Sequence, residues 1–512
     1  MTTNSPWDST HFLVAQTLLS FQSVSIFGKG SMIKKNRKKL VVIGNGMAGA
    51  RIVEEILSRA PDMFDIAMFG AEPYGNYNRI LLSNVLNKSQ DATAIFMNPL
   101  DWYTQNHITL HAGFKATRID RENQIVIGAP MKKDALPYVA SDAGLETENC
   151  VEESYDYVII ATGSRPFIPP MDGYGKPGTF AFRTLDDCAR IADYAQDCKR
   201  AAVIGGGLLG LEAARGLLTH GVEVTVVEAA PQLMVAQLDT ESGAILKNTM
   251  EGMGVTVLLE KITAKIADTN GRITHLEFKD GSRLETDMVV VSAGIRPITE
   301  VASASGLIVE KAIVTDDQMR TNDPKIFSLG ECVQHRGRIY GLVDPIWEMA
   351  NVLADVITGK NPDAAYTGSK LGTKLKVMGV ELASMGETKP ANADDEVVVY
   401  REPRKGVYKK LIIRDDKIAG CILLGDIEAA GTLMQMFFSG TKAPERRADL
   451  LFGAPSGVSL LKACDLPDNT QICNCNGVSK LKIKEAIDNG CTSVAKVGAC
   501  TKAGMGCGSC KT

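Results

Sequence analysis

The chain has 512 residues, 45% of them hydrophobic and 23% charged, a balance that excludes a mainly disordered protein. At roughly 150 residues per domain, this length holds about three domains plus shorter modules. A formal net charge of −4 and a pI near 6.0 leave no global basic field, so no nucleic-acid partner is expected.

Residues 1–36 read as an N-terminal extension. His11 to Phe21 (HFLVAQTLLSF) has the look of a short signal-peptide core, but the first lysine, Lys29, follows it and no small-residue cleavage pattern is convincing. Met32 is a candidate alternative start. No uninterrupted apolar run of about 18 residues occurs, so no membrane span is expected and the protein is placed in the cytoplasm.

The first fold signal is the apolar run Leu40 to Ile43, followed by Gly44-Asn45-Gly46-Met47-Ala48-Gly49, a helical pattern through Leu57, and a second run, Asp65 to Phe69, ending at Glu72. Strand, glycine turn, helix, strand, acid is the opening of a doubly wound sheet. The pattern recurs about 160 positions later: Ala201 to Ile204, Gly205-Gly206-Gly207-Leu208-Leu209-Gly210, a helix to His220, then Glu223 to Val227 and Glu228. Between the copies, Tyr155 to Ser164 is a buried-strand pattern ending in a glycine turn, and the related segment Asp287 to Gly294 closes the second unit. Met131 to Ser154 reads as a polar surface insertion. From Leu371 to about Leu424 alternating strands with tight turns suggest a smaller α+β domain; Pro444 to Gly457 reads as a linker, and a cysteine-rich module follows.

The expected fold class is therefore α/β, with two Rossmann-like dinucleotide-binding domains, a small α+β domain and a C-terminal Cys-rich module. The expected boundaries are 1–36 for the extension, 37–164 and 286–365 for two parts of the first dinucleotide-binding domain, and 165–285 for the second. The α+β domain takes 366–442, a linker 443–470, and the terminal module 471–512.

In a strand–G-x-G-x-x-G–helix unit the first glycine (Gly44, Gly205) permits the tight turn. The second (Gly46, Gly207) lets backbone approach a pyrophosphate, and the third (Gly49, Gly210) lets helix and sheet pack closely. The helix N-terminus adds unpaired N–H groups and partial positive charge. Glu72 and Glu228 are suited to accept hydrogen bonds from an adenosine ribose. Glu228 is followed by Ala229-Ala230-Pro231, with no arginine to hold a 2′-phosphate, so NADH is favoured over NADPH.

Two such units, joined by Ala161-Thr162-Gly163-Ser164 and followed by Ser328-Leu329-Gly330-Glu331-Cys332, resemble the flavin-dependent pyridine-nucleotide oxidoreductases over about Lys39 to Lys360. The resemblance implies that the first unit binds FAD and the second NAD(P)H. It also assigns cofactor contacts to Thr162, Gly163 and Gly294. Where that family has Gly-Asp facing the ribityl chain, this chain has Gly330-Glu331, which keeps the charge on an arm one methylene longer. Tyr77-Asn78-Arg79 matches the segment whose arginine lies along FAD. The redox cysteine pair of the disulfide reductases is absent: no cysteine lies between Gly44 and Asn149, and Cys188 and Cys198 read as small buried hydrophobes on a helix. Hydride transfer to flavin needs positioning more than an acid–base side chain, so no catalytic residue is assigned.

Six of the twelve cysteines lie from Cys473 to Cys510. Cys473-Asn474-Cys475 and Cys507-Gly508-Ser509-Cys510, with 31 residues between the pairs, supply four thiolates for zinc or an iron–sulfur cluster. Zinc ribbons more often use two C-x-x-C pairs, and the glycine-rich approach to Cys507 offers N–H groups to cluster sulfurs. Cys491 and Cys500 fit no ligand spacing as well and read as core. The patterns around the pairs resemble the [2Fe-2S] domain of bacterioferritin-associated ferredoxins, which makes all four cysteines metal ligands.

Together with A-E-P-Y-G-N-Y-N-R-I-L-L-S, G-L-V-D-P-I-W-E (Gly341 to Glu348) and the segment Lys374 to Gly386, the domain order resembles two protein groups. One is the N-terminal part of NADH-dependent assimilatory nitrite reductase large subunits; the other is the electron-transfer subunit of assimilatory nitrate reductase. The C-x5-C and C-x3-C spacings of sirohaem enzymes are absent, and no room for that domain follows Cys510. The chain is thus expected to pass electrons from NADH through FAD and a [2Fe-2S] cluster to a separate nitrite or nitrate reductase catalytic subunit. Rival readings are a reductase for rubredoxin, ferredoxin or an oxygenase, a cluster-based redox or iron sensor, and a zinc-stabilised interaction module. A homo-oligomer is left open.

Overall fold

The runs that read as buried strands form two five-stranded, all-parallel sheets. In the computed structural model, residues 37–133, 135–138, 144–452, 466–473, 477–504 and 510 are described; the 1–36 extension, Cys475 and Cys507 lie outside them. The first sheet has the order Ile326–Ser328, Tyr157–Ile160, Lys38–Ile43, Phe64–Gly70, Ile108–Ala112. The second repeats it with Thr179–Ala181, Met288–Val291, Arg200–Ile204, Glu223–Val227 and Val255–Leu258. Strands covered on both faces need apolar residues at every position, and Val41, Val42, Ile159 and Val289 are all fully buried. The Met47–Arg59 helix turns Ile52, Val53 and Ile56 toward the first sheet and the Val343–Thr358 helix, where Met349, Ala350 and Leu353 meet them.

Each sheet carries a three-stranded antiparallel appendage after its outer strand. In the first unit this is Phe114–Asp120, Ile125–Pro130 and Val151–Ser154; in the second, Thr263–Thr269, Arg272–Phe278 and Arg283–Glu285. The end of the polar insertion, Val151–Ser154, is a strand of this appendage. The chain leaves the first unit through Ser164–Pro166 and returns through Ile295–Pro297, and these two segments pair antiparallel at the crossing. Met288–Val291 still belongs to the second sheet, so the return falls after Val291, later than the boundary drawn at 285/286.

The third body is a five-stranded antiparallel sheet from Gly372–Val377 to Lys417–Leu424, covered by the Ala430–Ser439 helix through Leu433, Met436 and Phe437. The stretch read as linker begins as part of this body: Ala443, Leu450 and Leu451 are buried in its core, and the Lys409 Nζ donates to the Leu451 carbonyl at 2.8 Å. The terminal module contributes strands Gln471–Cys473 and Val478–Ser479 and helices Lys480–Asp488 and Val494–Thr501, each helix capped by a serine.

Candidate cofactor sites

At the first glycine turn the three glycines do three different jobs. Gly44 has φ +116°, and a Cβ there would stand 2.2 Å from the Ala161 carbonyl oxygen. A Cβ on Gly49 would stand 1.8 Å from the Gly44 carbonyl oxygen, so this position is closed by the fold itself. A Cβ on Gly46 would meet nothing within 4 Å. Packing therefore does not require glycine at 46; the space it faces is open, and it caps the Met47–Arg59 helix without any side-chain acceptor. Unpaired helix N–H groups facing open space suit a pyrophosphate.

The acid at the end of the next strand is engaged. Glu72 accepts a hydrogen bond from the Tyr77 hydroxyl at 2.5 Å and pairs with Arg79, whose other guanidinium nitrogen donates to the Arg183 carbonyl at 3.1 Å. Through Arg183 the group continues to Glu331, which accepts from Ser164 Oγ and from Arg183 Nη2, both at 2.6 Å, and Arg183 also donates to Ser164 Oγ at 2.8 Å. Burial pushes the Glu331 carboxyl up, but Arg183, the Ser164 hydroxyl and Arg79 outweigh it and hold the group below its ordinary value. Thr162 Oγ1 donates to the Ile298 carbonyl at 2.7 Å, while Gly163 (φ +69°) and Gly330 (φ +95°) take left-handed turns on either side. The Arg183 Nε is buried without a protein partner, a donor left over in the cavity wall.

Gly44, Gly46, Glu72, Arg79, Thr162, Gly163 and Glu331 line one cavity of about 890 Å³. The second turn has the same construction as the first: Gly205 (φ +120°) abuts the Ser292 carbonyl, Gly210 abuts the Gly205 carbonyl, and Gly207 faces open space. Gly294 (φ +114°) is likewise open. Glu228 accepts from the Gly206 N–H at 2.6 Å and the Ala230 N–H at 2.8 Å, so it clamps the turn as well as ending the strand. Each carboxylate oxygen can accept a second bond, which leaves capacity for a ribose. This turn lies outside the cavity; its helix reaches in through Leu208, Leu209 and Glu212.

In the terminal module, Cys473 is buried and packs in one small core with Val478, Ile483, Ala503 and Cys510. The structure thus brings together one cysteine of each expected ligand pair. Cys510 and Ile472 also line the large cavity. Cys491 and Cys500 are joined as a disulfide; Cys491 is buried, but Cys500 is exposed and is not core. Cys188 is fully buried, and burial pushes its thiol well above the ordinary value. Cys198 follows the Leu185–Ala195 helix rather than lying on it and is only half-buried.

Residues 38–350, more than half of the chain, match the pyridine nucleotide-disulphide oxidoreductases. The chain belongs to that family. Residues 372–440 of this oxidoreductase match the rubredoxin NAD+ reductase C-terminal domain, and residues 471–512 match the BFD-like [2Fe-2S] binding domain. The matches bring FAD, a nicotinamide dinucleotide and a [2Fe-2S] cluster as cofactors. Over 93% of its length the chain is 43% identical to a nitrite reductase [NAD(P)H] of Bacillus subtilis (strain 168), covering 56% of that protein. It is 38% identical, again over 93% of its length, to an assimilatory nitrate reductase electron transfer subunit of the same organism, covering 58%. It therefore spans little more than half of these relatives. An NAD-dependent persulfide reductase from A. fulgidus superposes with a TM-score of 0.69 at 26% identity, over 79% of this chain and 77% of that one. Among the described residues no helix is long and apolar enough to cross a membrane.

The two residues that hold Glu331 in the cavity wall of this oxidoreductase, Ser164 and Arg183, are not marked for that role by a sequence motif. Ser164 was within the quoted A-T-G-S run without a role. Arg183 carried no local signal: it acts on Glu331, 148 positions away.

Proposed function

We propose that this oxidoreductase takes hydride from NADH and delivers electrons to a separate catalytic subunit that reduces nitrite or nitrate. The observation that carries this reading is the single cavity whose wall runs from the first glycine turn to Cys510 of the terminal module. Bound FAD would supply the exchange between a two-electron hydride donor and a one-electron cluster. Around it, Gly46 and the helix N-terminus would receive the pyrophosphate at a turn that Gly44 and Gly49 shape, Glu72 the ribose, and Arg79, Thr162, Gly163, Gly330 and Glu331 the remainder of the dinucleotide. Gly207, Glu228 and Gly294 would hold the nicotinamide dinucleotide at a turn that Gly205 and Gly210 shape in the same way. Cys473, Cys475, Cys507 and Cys510 hold the cluster. No side chain has to move a proton for hydride to pass; the residues bind and orient.

The relatives' names support nitrite or nitrate reduction as the destination, and the sirohaem cysteine spacings do not occur within these 512 residues. The reading places the protein in the cytoplasm, with its acceptor. Anaerobic titration with NADH tests it: flavin absorbance should bleach and a reduced-cluster EPR signal should follow, and a flavin that NADH does not bleach refutes it. The match of residues 372–440 favours one second reading, a small redox protein such as a rubredoxin or ferredoxin as acceptor. Parallel assays with such carriers and with nitrite and nitrate reductase subunits separate the two.

A further inference from the structure

Among the described residues, Arg51 and Lys502 fasten the terminal module to the flavin-binding unit, each at a point a few positions from one of its cysteine pairs. Arg51, on the helix that starts at the first glycine turn, donates from Nη1 to the Gly477 carbonyl at 3.2 Å. Gly477 comes two positions after Cys475 in the chain. Lys502, five positions before Cys507, donates from Nζ to the Phe96 carbonyl at 2.9 Å. These bonds span 426 and 406 positions, so they are tertiary contacts and not consequences of local chain geometry.

Arg51 is held rigid for this task. Its Nη2 pairs with Glu55 at 2.5 Å, its guanidinium centre lies 5.1 Å from the centre of the Trp347 ring, and its side chain is only 10% exposed. A planar guanidinium can stack, pair and donate to a carbonyl at once; an ammonium cannot reproduce that combination. Glu55 also pairs with Arg59, and Trp347 belongs to the G-L-V-D-P-I-W-E segment, whose Gly341, Leu342, Val343, Asp344 and Ile346 line the cavity.

We propose that Arg51 is a positioning residue for electron exit: braced by Glu55 and Trp347, it holds the loop after Cys473 and Cys475 against the flavin unit and, with Lys502, makes the terminal module a wall of the flavin cavity. Ile472 and Cys510 line that cavity only while the module is seated. Electron transfer weakens steeply with distance, so a seated module gives a short, fixed gap and a loose one a long, variable gap. The proposal rests on the reading that the module carries the cluster.

The test uses the full-length holoprotein with Arg51→Gln, Arg51→Lys and Lys502→Gln. Hydrogen exchange of peptides covering 94–99 and 477–482 reports seating directly, because exchange follows the opening equilibrium even when the open form is rare. Both peptides should exchange about tenfold faster in Arg51→Gln, the loss expected for one charge-assisted hydrogen bond, with Arg51→Lys rescuing only in part. Stopped-flow reduction by NADH should bleach flavin at the wild-type rate while the cluster is reduced about tenfold more slowly. Lys502→Gln sits on the module and should reproduce both effects with every residue of the flavin unit unchanged. Unchanged exchange in Arg51→Gln and Lys502→Gln overturns the latch. Faster exchange with unchanged cluster reduction overturns its role in electron exit. A wild-type protein without cluster absorbance overturns the parent reading instead, and the exchange comparison still judges the latch.

Discussion

Replacing Gly46 and Gly49 by alanine should separate what the fold needs from what the cofactor needs. At Gly49 the new methyl would stand 1.8 Å from the Gly44 carbonyl oxygen, backbone that cannot swing aside, so sheet and helix must move apart. Overpacking of this kind costs about 3 kcal/mol or more, which in a unit of this size lowers the apoprotein melting temperature by roughly 6–12 °C. At Gly46 the backbone is extended (φ −79°, ψ −171°), a conformation alanine accepts, and the methyl meets no protein atom within 4 Å. The apoprotein should therefore melt within about 2 °C of wild type, since the weaker alanine cap and the reduced unfolded-chain entropy nearly cancel. FAD affinity should nevertheless fall by about 5- to 150-fold, the equivalent of roughly 1–3 kcal/mol of overpacking against the pyrophosphate. Scanning fluorimetry without flavin gives the first quantity and fluorescence titration of apoprotein with FAD the second. Wild-type FAD affinity in Gly46→Ala would show that the pyrophosphate does not lie there. A Gly46→Ala apoprotein as unstable as Gly49→Ala would refute the inference from open space.

Three further outcomes are expected. NADH should outperform NADPH by at least about tenfold, roughly 1.4 kcal/mol, and Glu228→Ala should narrow the gap in steady-state assays; equal wild-type rates with both cofactors would sink the assignment. Cys507→Ser should lose the cluster signal yet keep FAD and NADH-driven reduction of small dyes, while a protein acceptor goes unreduced; acceptor reduction at the wild-type rate by iron-free protein would mean that electrons leave from the flavin. Asp239 accepts from Tyr408 and Lys410 across to the small domain and from the Ser242 N–H; burial raises its pKa, but these partners bring it from 3.8 to about 2. A carboxyl depressed on folding adds stability above its unfolded value that is lost as pH falls through the folded one. Asp239→Asn should thus flatten acid destabilisation between pH 3.8 and about 2 in circular dichroism, and an unaltered acid profile would argue against it.

The sheets and glycine turns were legible because their signals are local: continuous apolar runs, glycines at fixed offsets, an acid one strand later. The Glu331 group was legible only in part, because its partner Arg183 sits before the Leu185–Ala195 helix and only the folded chain brings it to Ser164 and Glu331. The linker reading failed at its start for a related reason. Pro444 and Gly457 signal irregular chain, but Leu450 and Leu451 find a core that another segment supplies. The Cys491–Cys500 bridge had no spacing rule to mark it, and the two helices that carry the module bring those thiols together.

The paired crossing at Ser164–Pro166 and Ile295–Pro297 has a bearing on the order in which the molecule can be made. The inner sheet, Thr179 to Val291, is one uninterrupted stretch of chain and can close as soon as Val291 has left the ribosome. The outer sheet must wait: its strand Ile326–Ser328 pairs with Tyr157–Ile160, and the Gly330-Glu331 turn comes after that. During synthesis at about 5–20 residues per second, the unfinished outer sheet exposes the unpaired edge of Tyr157–Ile160 for some seconds while its nested neighbour is already folded. The second glycine-turn unit therefore matures before the first, which precedes it in the chain, and under the proposed assignment FAD would be the later of the two dinucleotides to gain a finished site.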